Sequence, residues 1–226
     1  MLWRASSPTR QYPRGFIEPC LPTIGQAVPS GPQWVHEIKH DGYRFICRLD
    51  RGCVRVFSRR GTDFTERVPR IVDTLARFPA ASATLDGEGV ACDANGVTDF
   101  ELLRAALGRP AKREAFLYAF DLLELDGSDM RREPWSDRRW KLARLLRGAG
   151  HGVQLSDHVE GNDGEAVFRH ACNMGLEGIV AKRRDRPYRS GRSPDWIKVK
   201  QRPASKLKYL RCRSPTFRAF GDKGLF

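Results

Sequence analysis

Three polar residues in the stretch 34–44 have types and spacing that could support nucleophilic chemistry. Lys39 ends a strand-like run, Asp41 begins an Asp-Gly turn, and Arg44 lies in the next strand-like run. An unassisted lysine amine, with a pKa near ~10.4, is almost wholly protonated at neutral pH and is a weak nucleophile. Nearby cations would lower that pKa, and a neighbouring carboxylate would orient the amine. Lys39 is therefore a candidate nucleophile, although a lone lysine before a turn is most often an ordinary solvated charge.

Candidate polar and aromatic residues also lie on two predicted strands in the middle of the chain. In residues 85–90, Asp86 and Glu88 alternate with glycines, so both carboxylates share one strand face and the other face is open to close approach. Phe120 is predicted to share a face of a later strand with Phe116, Tyr118 and Leu122. Taken alone, such carboxylates are usually surface charges and such aromatics usually belong to a core.

The last predicted strands carry residues suited to phosphate and to metal. In residues 196–200, Lys198 and Lys200 share a face, and the strand rise places their ammonium groups about 7 Å apart. This arrangement suits a phosphate or a nucleotide, although an exposed strand face can show the same pattern. Glu177 begins the preceding predicted strand, where its carboxylate could hold a hard cation.

Hydrophobic patterning predicts an α+β architecture, because strands come in hairpins and helices are interspersed irregularly. Residues 34–58 are predicted as a meander of three strands with turns at Asp41-Gly42 and Arg51-Gly52. Further strands are predicted over 84–92, 116–125, 153–155, 177–182 and 196–200. Helices are predicted near 68–75, 100–107, 136–146 and 166–174. We expect an irregular arm over 1–32, a folded domain over 33–200 and a basic tail over 201–226.

The composition is that of a globular protein without a membrane segment. Of the 226 residues, 40% are hydrophobic and 30% are charged, and no apolar run approaches the ~18 residues of a membrane span. The N-terminus lacks the apolar core of a signal peptide, so we expect a cytoplasmic protein with no membrane partner, associated with the nucleoid if it is bacterial. The six cysteines form no C-x-x-C pair, so neither zinc nor a disulfide framework is expected.

Most of the formal net charge of +13 lies near the C-terminus. The stretch 182–213 contains thirteen lysines and arginines, and only Asp185 and Asp195 oppose them within it. Charge runs are usually solvated surface. A block this one-sided, flanked by apolar strand patterns, favours contact with a phosphate backbone.

Six segments combine these candidate residues: KHDGYR at 39–44, SRRG at 58–61, LDGEGV at 85–90, YAFDLLELDG at 118–127, EGIVAKR at 177–183 and WIKVK at 196–200. Taken in series, the six segments resemble the nucleotidyltransferase motifs of ATP-dependent DNA ligases and of their RNA-ligase and capping-enzyme relatives. The sequence most resembles the ligase module of bacterial end-joining ligases. The resemblance implies an ATP-grasp-like covalent nucleotidyltransferase fold, with antiparallel sheets flanked by helices. The six segments occur in the family's order.

The resemblance implies particular roles in nucleotide binding. Lys39 would attack the α-phosphate of ATP, forming a lysyl-AMP phosphoramidate and releasing pyrophosphate. Glu37 would read the adenine amino group, and Phe120 would stack on the base. Arg44 and Glu88 would contact the ribose. The full set of implied nucleotide contacts besides Lys39 is Glu37, Ile38, Arg44, Arg59, Glu88, Phe120, Lys198 and Lys200, with the two lysines on the α-phosphate.

The resemblance also implies a metal ion and a DNA substrate. Glu177 would bind Mg²⁺ or Mn²⁺, with Glu88 as a second ligand. Arg59 would hold the 5′-phosphate of a nick in double-stranded DNA; AMP would pass to that phosphate, and the adjacent 3′-OH would displace it. The implied function is an ATP-dependent DNA ligase that acts on nicked or broken DNA in repair and end joining. The implied DNA contacts are Arg59, Arg60, Arg183, Arg184, Arg186 and Arg189.

The sequence departs from the family after Lys200. A full ligase continues with an OB-fold domain, and the remaining residues are too few for a five-stranded barrel. We therefore expect a catalytic domain without an OB-fold. Three alternatives follow: a separate partner protein supplies the OB-fold, the basic tail replaces it, or the first reaction step is slow. Such a partner could also supply further end-joining functions.

Two other functions remain open at the level of sequence. A degenerate, non-catalytic nucleic-acid-binding remnant would keep the pocket without turnover. The intact Lys39, Glu88, Glu177, Lys198 and Lys200 argue against such decay. An RNA ligase or another nucleotidyltransferase of the same superfamily would share the motifs, and only the resemblance to end-joining ligases favours DNA.

Overall fold

The computed structural model describes residues 13, 15–108 and 115–201. Within them the strands are β1 (Cys20–Ile24), β2 (Trp34–Ile38), β3 (Tyr43–Asp50), β4 (Cys53–Ser58), β5 (Ser82–Val90), β6 (Phe116–Leu125), β7 (Ser128–Asp129), β8 (Val153–Leu155), β9 (His158–Glu160), β10 (Gly178–Arg183) and β11 (Gly191–Lys200). The α-helices are α1 (Pro69–Leu75), α2 (Phe100–Gly108), α3 (Trp135–Leu145) and α4 (Gly164–Asn173). Short 3₁₀ turns lie at Thr65–Arg67, Met130–Arg132 and Gly161–Asp163.

The strands form two sheets, which confirms the predicted α+β class. One sheet has five strands in the order β1-β11-β10-β2-β9. The other has six, in the order β4-β3-β5-β6-β7, with β8 beside β6. The pairings are antiparallel except for β1 with β11 and β6 with β8. No helix of the described residues is long and apolar enough to cross a membrane.

The six-stranded sheet carries two different apolar clusters on its two faces. Phe45, Cys47 and Leu49 alternate along β3 and belong to the main core, which also includes buried residues of α1, α2 and α3. Ile46, on the other face of β3, joins a smaller inter-sheet cluster with residues of the five-stranded sheet. The members of the inter-sheet cluster are Cys20, Ile46, Phe120, Leu123, Tyr188 and Trp196.

The predicted hairpin at Asp41-Gly42 is wrong, because β2 and β3 belong to different sheets. Residues 39–42 cross from one sheet to the other instead of reversing the chain within one. The crossing is tight, since a Cβ on Gly42 would clash with the carbonyl oxygen of Gly89. Glycine allows this close approach. The segment that carries Lys39 therefore bridges the two sheets.

The segment predicted as an irregular arm, 1–32, contains the strand β1. Pro22 and a register shift between Pro22 and Thr23 interrupt the alternation that would have marked a strand. The same irregularity affects β11, which begins at Gly191 and so extends further than the predicted 196–200. Residues 191–193 pair with β1, residues 196–200 pair with β10, and Ile197 and Lys198 pair with both neighbours.

The predicted face of β6 is also wrong beyond Phe120. The pairing of β5 with β6 shifts register on both sides of Asp86. As a result Phe120 and Leu123 lie in the inter-sheet cluster, whereas Leu122 lies in the main core. The bounds of β6 itself were predicted correctly.

Two hairpin turns were predicted correctly from their Gly-containing dipeptides. Arg51 and Gly52 adopt φ values of 48° and 81° between β3 and β4. Asp126 and Gly127 adopt 48° and 82° after β6. Both pairs have the positive φ values of a type I′ turn. The predicted basic tail lies outside the described residues, apart from Gln201.

Candidate active site

Lys39 directly follows β2 and is held between the chain crossing and β10. Its backbone N–H donates to the carbonyl of Gly178 at 2.9 Å. Its ammonium forms an ion pair with one carboxylate oxygen of Glu177, whose other oxygen pairs with Lys200. The side chains of Lys39 and Glu177 are each 23% exposed. These two cations hold the pKa of Glu177 below its ordinary value against the opposing effect of burial. The carboxylate is therefore charged and reachable from solvent.

A pocket of about 80 Å³ lies between the two sheets beside Lys39. Six of the predicted nucleotide residues line it: Glu37, Ile38, Lys39, Arg44, Glu88 and Phe120. The other lining residues are Pro22, His40, Val180, Lys182 and Trp196. We call this cavity the inter-sheet pocket.

Glu37 forms a buried ion pair with Lys182 at the inter-sheet pocket. Lys182 Nζ lies 2.8 Å from both carboxylate oxygens of Glu37. Burial raises the pKa of Glu37 and lowers that of Lys182, while each partner's charge opposes the shift. The same ammonium lies 4.3 Å from the ring centre of Phe120 and 4.2 Å from that of Trp196. Lys182 is therefore a buried pocket residue, although the charge count had placed it in the basic block that was expected to contact a phosphate backbone.

Arg44 lies over Phe120 and is fixed by a buried carboxylate. Its Nε and Nη2 donate to the two oxygens of Asp86, with the Nη2 bond at 2.7 Å. Nη2 also donates to the carbonyl of Cys20 at 3.3 Å, and the guanidinium carbon lies 4.4 Å from the Phe120 ring centre. The hydroxyl of Tyr188 donates to Asp86 at 2.6 Å. Arg44 thus lines the pocket in a fixed position.

Burial changes the ionisation of two further lining residues. It raises the pKa of Glu88 to about 7, and the charges of Arg44 and Lys39 partly oppose that shift. It lowers the pKa of His40 to about 4, with the charge of Lys39 acting in the same direction. The His40 ring stacks on Tyr118, with ring centres 4.3 Å apart. His40 is therefore a neutral aromatic wall of the pocket at neutral pH.

Lys198 and Lys200 lie on the same strand as Trp196, outside the set that lines the pocket. Burial lowers the pKa of Lys198, and the charges of Lys200 and Lys39 add to that effect. The three ammonium groups therefore repel one another around Glu177. An anion such as a phosphate would relieve that repulsion.

The donors present fit a magnesium ion only if the nucleotide supplies most of its ligands. Across residues 13, 15–108 and 115–201, no group of three or more His, Cys, Asp or Glu side chains could hold a metal. Glu177 provides one charged, accessible carboxylate, and Glu88 provides a second carboxyl group that is half-protonated near pH 7. Magnesium is usually bound by one or two carboxylates together with substrate phosphates and water. The site meets that requirement.

The predicted DNA contacts lie away from the inter-sheet pocket. Arg59 and Arg60 are exposed in the turn after β4. Arg59 was also predicted to contact the nucleotide, but it is not among the described residues that line the pocket. Residues 184–190, which we call the arginine loop, join β10 to β11. Arg183, at the end of β10, pairs with Asp185, and Arg184 pairs with Glu160, each at 2.8 Å.

The other arginines of the arginine loop are the more accessible ones. Arg186 lies 3.6 Å from Asp185 and 3.9 Å from Asp195, and Arg189 is exposed. Acids distant in sequence, such as Glu160, therefore also neutralise cations of the basic block. Counting charges within the stretch overstated how many are free.

Three residues in or beside the pocket were given no role there by sequence reasoning: Lys182, Asp86 and Tyr188. Val180 and Lys182 both line the pocket two residues apart, so strand alternation within EGIVAKR could have identified Lys182. Asp86 was placed on the same strand face as Glu88, but its pairing with Arg44 depends on the register of β3 against β5. No local signal separates Tyr188 from an ordinary loop aromatic.

The two sheets and the pocket between them, with a lysine at its rim, define a nucleotidyltransferase domain. The family model described as the ATP-dependent DNA ligase domain matches residues 20–200. The chain belongs to this family.

Similar proteins agree with that assignment. The multifunctional non-homologous end joining protein LigD of Pseudomonas aeruginosa is 38% identical over 186 residues, which is 82% of this chain and 22% of the relative. The crystal structure of the ligase domain of Mycobacterium tuberculosis LigD matches with a TM-score of 0.70 and 34% identity, covering 80% of this chain and 58% of that chain. A mycobacterial DNA ligase D complexed with ATP and MES matches with a TM-score of 0.69 and 34% identity, covering 80% and 59%. The chain thus spans about a fifth of the length of the LigD relative.

Proposed function

We propose that this chain is the catalytic domain of a DNA ligase that uses ATP to seal breaks in double-stranded DNA through a lysyl-AMP intermediate. The observation that carries the proposal is the position of Lys39 at the rim of the inter-sheet pocket, with Glu177, Lys198 and Lys200 beside it. A nucleotide in the pocket would present its phosphates to these groups. The mycobacterial neighbour described as complexed with ATP supports ATP as the AMP donor.

The part of the pocket that is lined by Glu37 and Lys182 suits adenine. Glu37 offers carboxylate acceptors and Lys182 offers an ammonium donor 2.8 Å away. Adenine presents an amino donor next to a ring-nitrogen acceptor, whereas guanine presents a carbonyl acceptor next to an N–H donor. The pair therefore matches adenine and leaves guanine with unpaired buried groups, a mismatch that sites of this kind reject strongly. Phe120 and Trp196 supply aromatic surface for the base. Arg44 and Glu88 then face the ribose.

In the first step the Lys39 amine attacks the α-phosphorus of ATP. A nitrogen–phosphorus bond forms, the bond to the β-phosphate oxygen breaks, and pyrophosphate leaves. The Lys39 ammonium first leaves its ion pair with Glu177 and loses one proton to water, and the nitrogen loses a second proton to water as the nitrogen–phosphorus bond forms. Lys198 and Lys200 meet the negative charge that develops on the phosphoryl oxygens.

Glu177, with Glu88 as a second ligand, would hold the Mg²⁺ or Mn²⁺ that the family implies. When bound, the ion supplies neutralisation of phosphate charge and helps to orient the leaving group. Glu177 would then exchange its lysine partners for the ion, which leaves Lys39 free of its ion pair.

In the later steps the AMP passes from Lys39 to the 5′-phosphate of a break, and the adjacent 3′-OH displaces it to form the phosphodiester. Arg59, Arg60, Arg183, Arg184, Arg186 and Arg189 bind the phosphate backbone of the nicked or broken DNA. The name of the LigD relatives supports a role in end joining. Partner proteins or further domains would supply end-joining functions beyond this chain.

The test is incubation of the full chain with Mg²⁺ and ATP labelled on the α- or the γ-phosphate. We expect the wild-type chain to become covalently labelled by α-labelled ATP but not by γ-labelled ATP. We expect no covalent label in Lys39→Ala. Lys141→Ala is the matched control, because Lys141 lies on α3 and contacts Met130 outside the pocket. Full labelling of Lys39→Ala would refute the assignment, and the absence of labelling in the wild-type chain would favour a non-catalytic remnant.

Substrate class is tested by offering nicked duplexes that differ only in the sugar of the nicked strand. We expect sealing of the DNA nick to exceed sealing of the RNA nick. Faster sealing of RNA would assign the chain to the RNA-ligase branch of the same superfamily.

A further inference from the structure

We propose that Tyr188 is a positioning residue for nucleotide binding, because it fixes Asp86 and, through Asp86, the Arg44 guanidinium. The inference rests on the proposed function and names a residue to which neither the nucleotide nor the DNA assignment gives a role. Tyr188 lies in the arginine loop, yet its side chain points away from solvent and is 4% exposed.

The link between Tyr188 and the inter-sheet pocket is a short hydrogen-bond chain. Asp86 is fully buried and accepts from three donors: Arg44 Nε, Arg44 Nη2 and the hydroxyl of Tyr188. A carboxylate with both oxygens engaged has one orientation, and so does the guanidinium that it binds. Arg44 can therefore neither rotate toward solvent nor turn away from Phe120 without breaking a buried contact.

Tyr188 is itself held on several sides. Its hydroxyl accepts the backbone N–H of Cys20 at 2.7 Å, and its backbone N–H donates to the carbonyl of Arg131 at 2.8 Å. Its ring meets Trp196 edge to face, with ring centres 5.8 Å apart. Burial and the charge of Asp86 raise the pKa of Tyr188 well above its ordinary value, so the hydroxyl keeps its proton and remains a donor.

The position of Arg44 matters because part of its donor capacity stays available. A guanidinium has five N–H donors. In its hydrogen bonds to Asp86 and Cys20, Arg44 uses Nε and Nη2. Within the part of the chain that the structure describes, no hydrogen bond uses Nη1, so it is open to a ligand in the pocket that Arg44 lines. A donor that is already oriented costs less entropy when the nucleotide arrives, which lowers the ATP concentration needed for binding.

Tyr188 could instead serve only to shape the arginine loop for DNA, but the loop has other anchors. The backbone N–H groups of Trp135 and Ser136 donate to the carbonyls of Arg186 and Arg184, each at 3.0 Å. Arg138 Nη1 donates to the Arg186 carbonyl at 3.3 Å. These contacts do not involve the Tyr188 hydroxyl. Removing that hydroxyl is therefore expected to affect the nucleotide and to leave DNA binding nearly unchanged.

The test compares Tyr188→Phe with Tyr43→Phe in the full chain. Tyr43 is half-buried, packs against the main core and stacks on Phe100, so it is a matched loss of one hydroxyl away from the inter-sheet pocket. For each variant we would measure the ATP concentration that gives half-maximal lysyl-AMP labelling, the maximal labelling rate, the calorimetric Kd for ATP and the Kd for nicked DNA. Tyr188→Phe is expected to raise both ATP values on the order of tenfold, with less than about twofold change in maximal rate or DNA affinity. Tyr43→Phe is expected to change none of them.

A double-mutant cycle with Arg44→Lys separates positioning from a general structural role. If Tyr188 acts through Arg44, the double variant will bind ATP no more weakly than Arg44→Lys alone. Three results would each overturn the proposal. They are a loss of ATP affinity in the double variant equal to the product of the two single losses, an unchanged ATP Kd in Tyr188→Phe, and an equal loss of ATP affinity in Tyr43→Phe.

Two further measurements keep these outcomes interpretable. Melting curves establish that each variant is folded at the assay temperature; if Tyr188→Phe is not, the cycle is run with Asp86→Asn, for which we expect the same non-additive loss. Calorimetry reports ATP binding without chemistry. If the wild-type chain binds ATP but forms no lysyl-AMP, the proposed function fails while the effect of Tyr188 on Arg44 is still decided.

Discussion

The ion pairs beneath the inter-sheet pocket and those of the arginine loop use the same residue types in opposite surroundings. Arg138 and Asp121, which join α3 to β6 behind the pocket, are both 0% exposed. Arg186 and Asp185 are 47% and 44% exposed and lie 3.6 Å apart. A buried pair cannot lose one partner without leaving an uncompensated charge, whereas an exposed pair exchanges its partner at little cost. The first kind therefore fixes geometry, and the second kind can be given up for a phosphate.

Adjacent residues in the chain can belong to the two different kinds. Lys182 is 2% exposed and holds Glu37 in the pocket, while Arg183, the next residue of β10, is 23% exposed and pairs with Asp185. Strand alternation sends the two side chains to opposite faces. Formal charge alone therefore does not separate a buried pocket residue such as Lys182 from a surface residue such as Arg183, and burial does. The following predictions test that separation through the free energy of unfolding, from the largest effect to the smallest.

Asp121→Ala should give the largest loss. Arg138 donates to both oxygens of Asp121, at 2.7 and 2.9 Å, and would keep only backbone carbonyl acceptors. We expect a loss of about 3–5 kcal/mol in urea unfolding. Replacing both partners, as Asp121→Leu with Arg138→Met, should recover most of it. A loss below about 1 kcal/mol in Asp121→Ala would show that burial does not set the cost.

Lys182→Met should destabilise the chain by about 2–3 kcal/mol, because the buried Glu37 carboxylate loses the ammonium that contacts both of its oxygens. Glu37 can then avoid its charge by taking up a proton. The loss is therefore expected to be larger at pH 8 than at pH 5. Lys182→Met combined with Glu37→Gln should remove that pH dependence. An equal loss at the two pH values in the single variant would contradict this expectation.

His40 tests burial without pairing. Its pKa is lowered to about 4 in the folded chain, so the unfolded chain binds more protons between that value and the ordinary 6.5. The free energy of unfolding is therefore unaffected by protonation of His40 above pH 6.5 and decreases as the pH falls from 6.5 toward 4. His40→Phe keeps a ring against Tyr118. Between pH 7.5 and pH 4.5 its free energy of unfolding should fall by about 1–2 kcal/mol less than that of the wild type. The same change in the free energy of unfolding with pH in both proteins would contradict this prediction.

Alanine substitutions at Arg186 and Arg189 should have the smallest effect on stability, within about 0.5 kcal/mol. Their effect should appear instead in DNA binding. The slope of log affinity against log salt should fall by about 0.9 for each DNA phosphate that the variant no longer neutralises. Lysyl-AMP labelling of the double variant should stay close to wild type. Labelling that falls in parallel with DNA affinity would mean that the arginine loop also serves the nucleotide.

Local patterns predicted most of the elements but not how the sheets meet. The hairpin of β3 and β4 follows from the Arg51-Gly52 turn, and β6 follows from a continuous apolar run, as expected for a strand buried on both faces. The crossing at Asp41-Gly42 has the same dipeptide signature as a hairpin. Only the pairing of β2 with β10 and β9, which lie far away in sequence, places it between the sheets.

The candidate site was predictable where the motifs name residues and was not predictable where partners are distant. Lys39, Glu37 and Phe120 line the expected pocket. The pairing of Glu37 with Lys182 joins residues 145 positions apart and depends on the register of β2 with β10. The register shift beside Asp86 likewise decides which side chains of β6 face the pocket. Long-range register of this kind leaves no trace in a local pattern.

The pairing of β1 with β11 decides when the pocket can first exist during synthesis of the chain. The hydroxyl of Thr23 donates to the carbonyl of Ser193, 170 residues later. A ribosome adding about 5–20 residues per second takes on the order of ten seconds or more to make that distance. Over the same interval β3 to β6, which are sequence neighbours, can already form most of the six-stranded sheet. Ile46 and Phe120 then stay open to water until β10 and β11 emerge, so the nascent chain is most prone to aggregate just before these two strands are made.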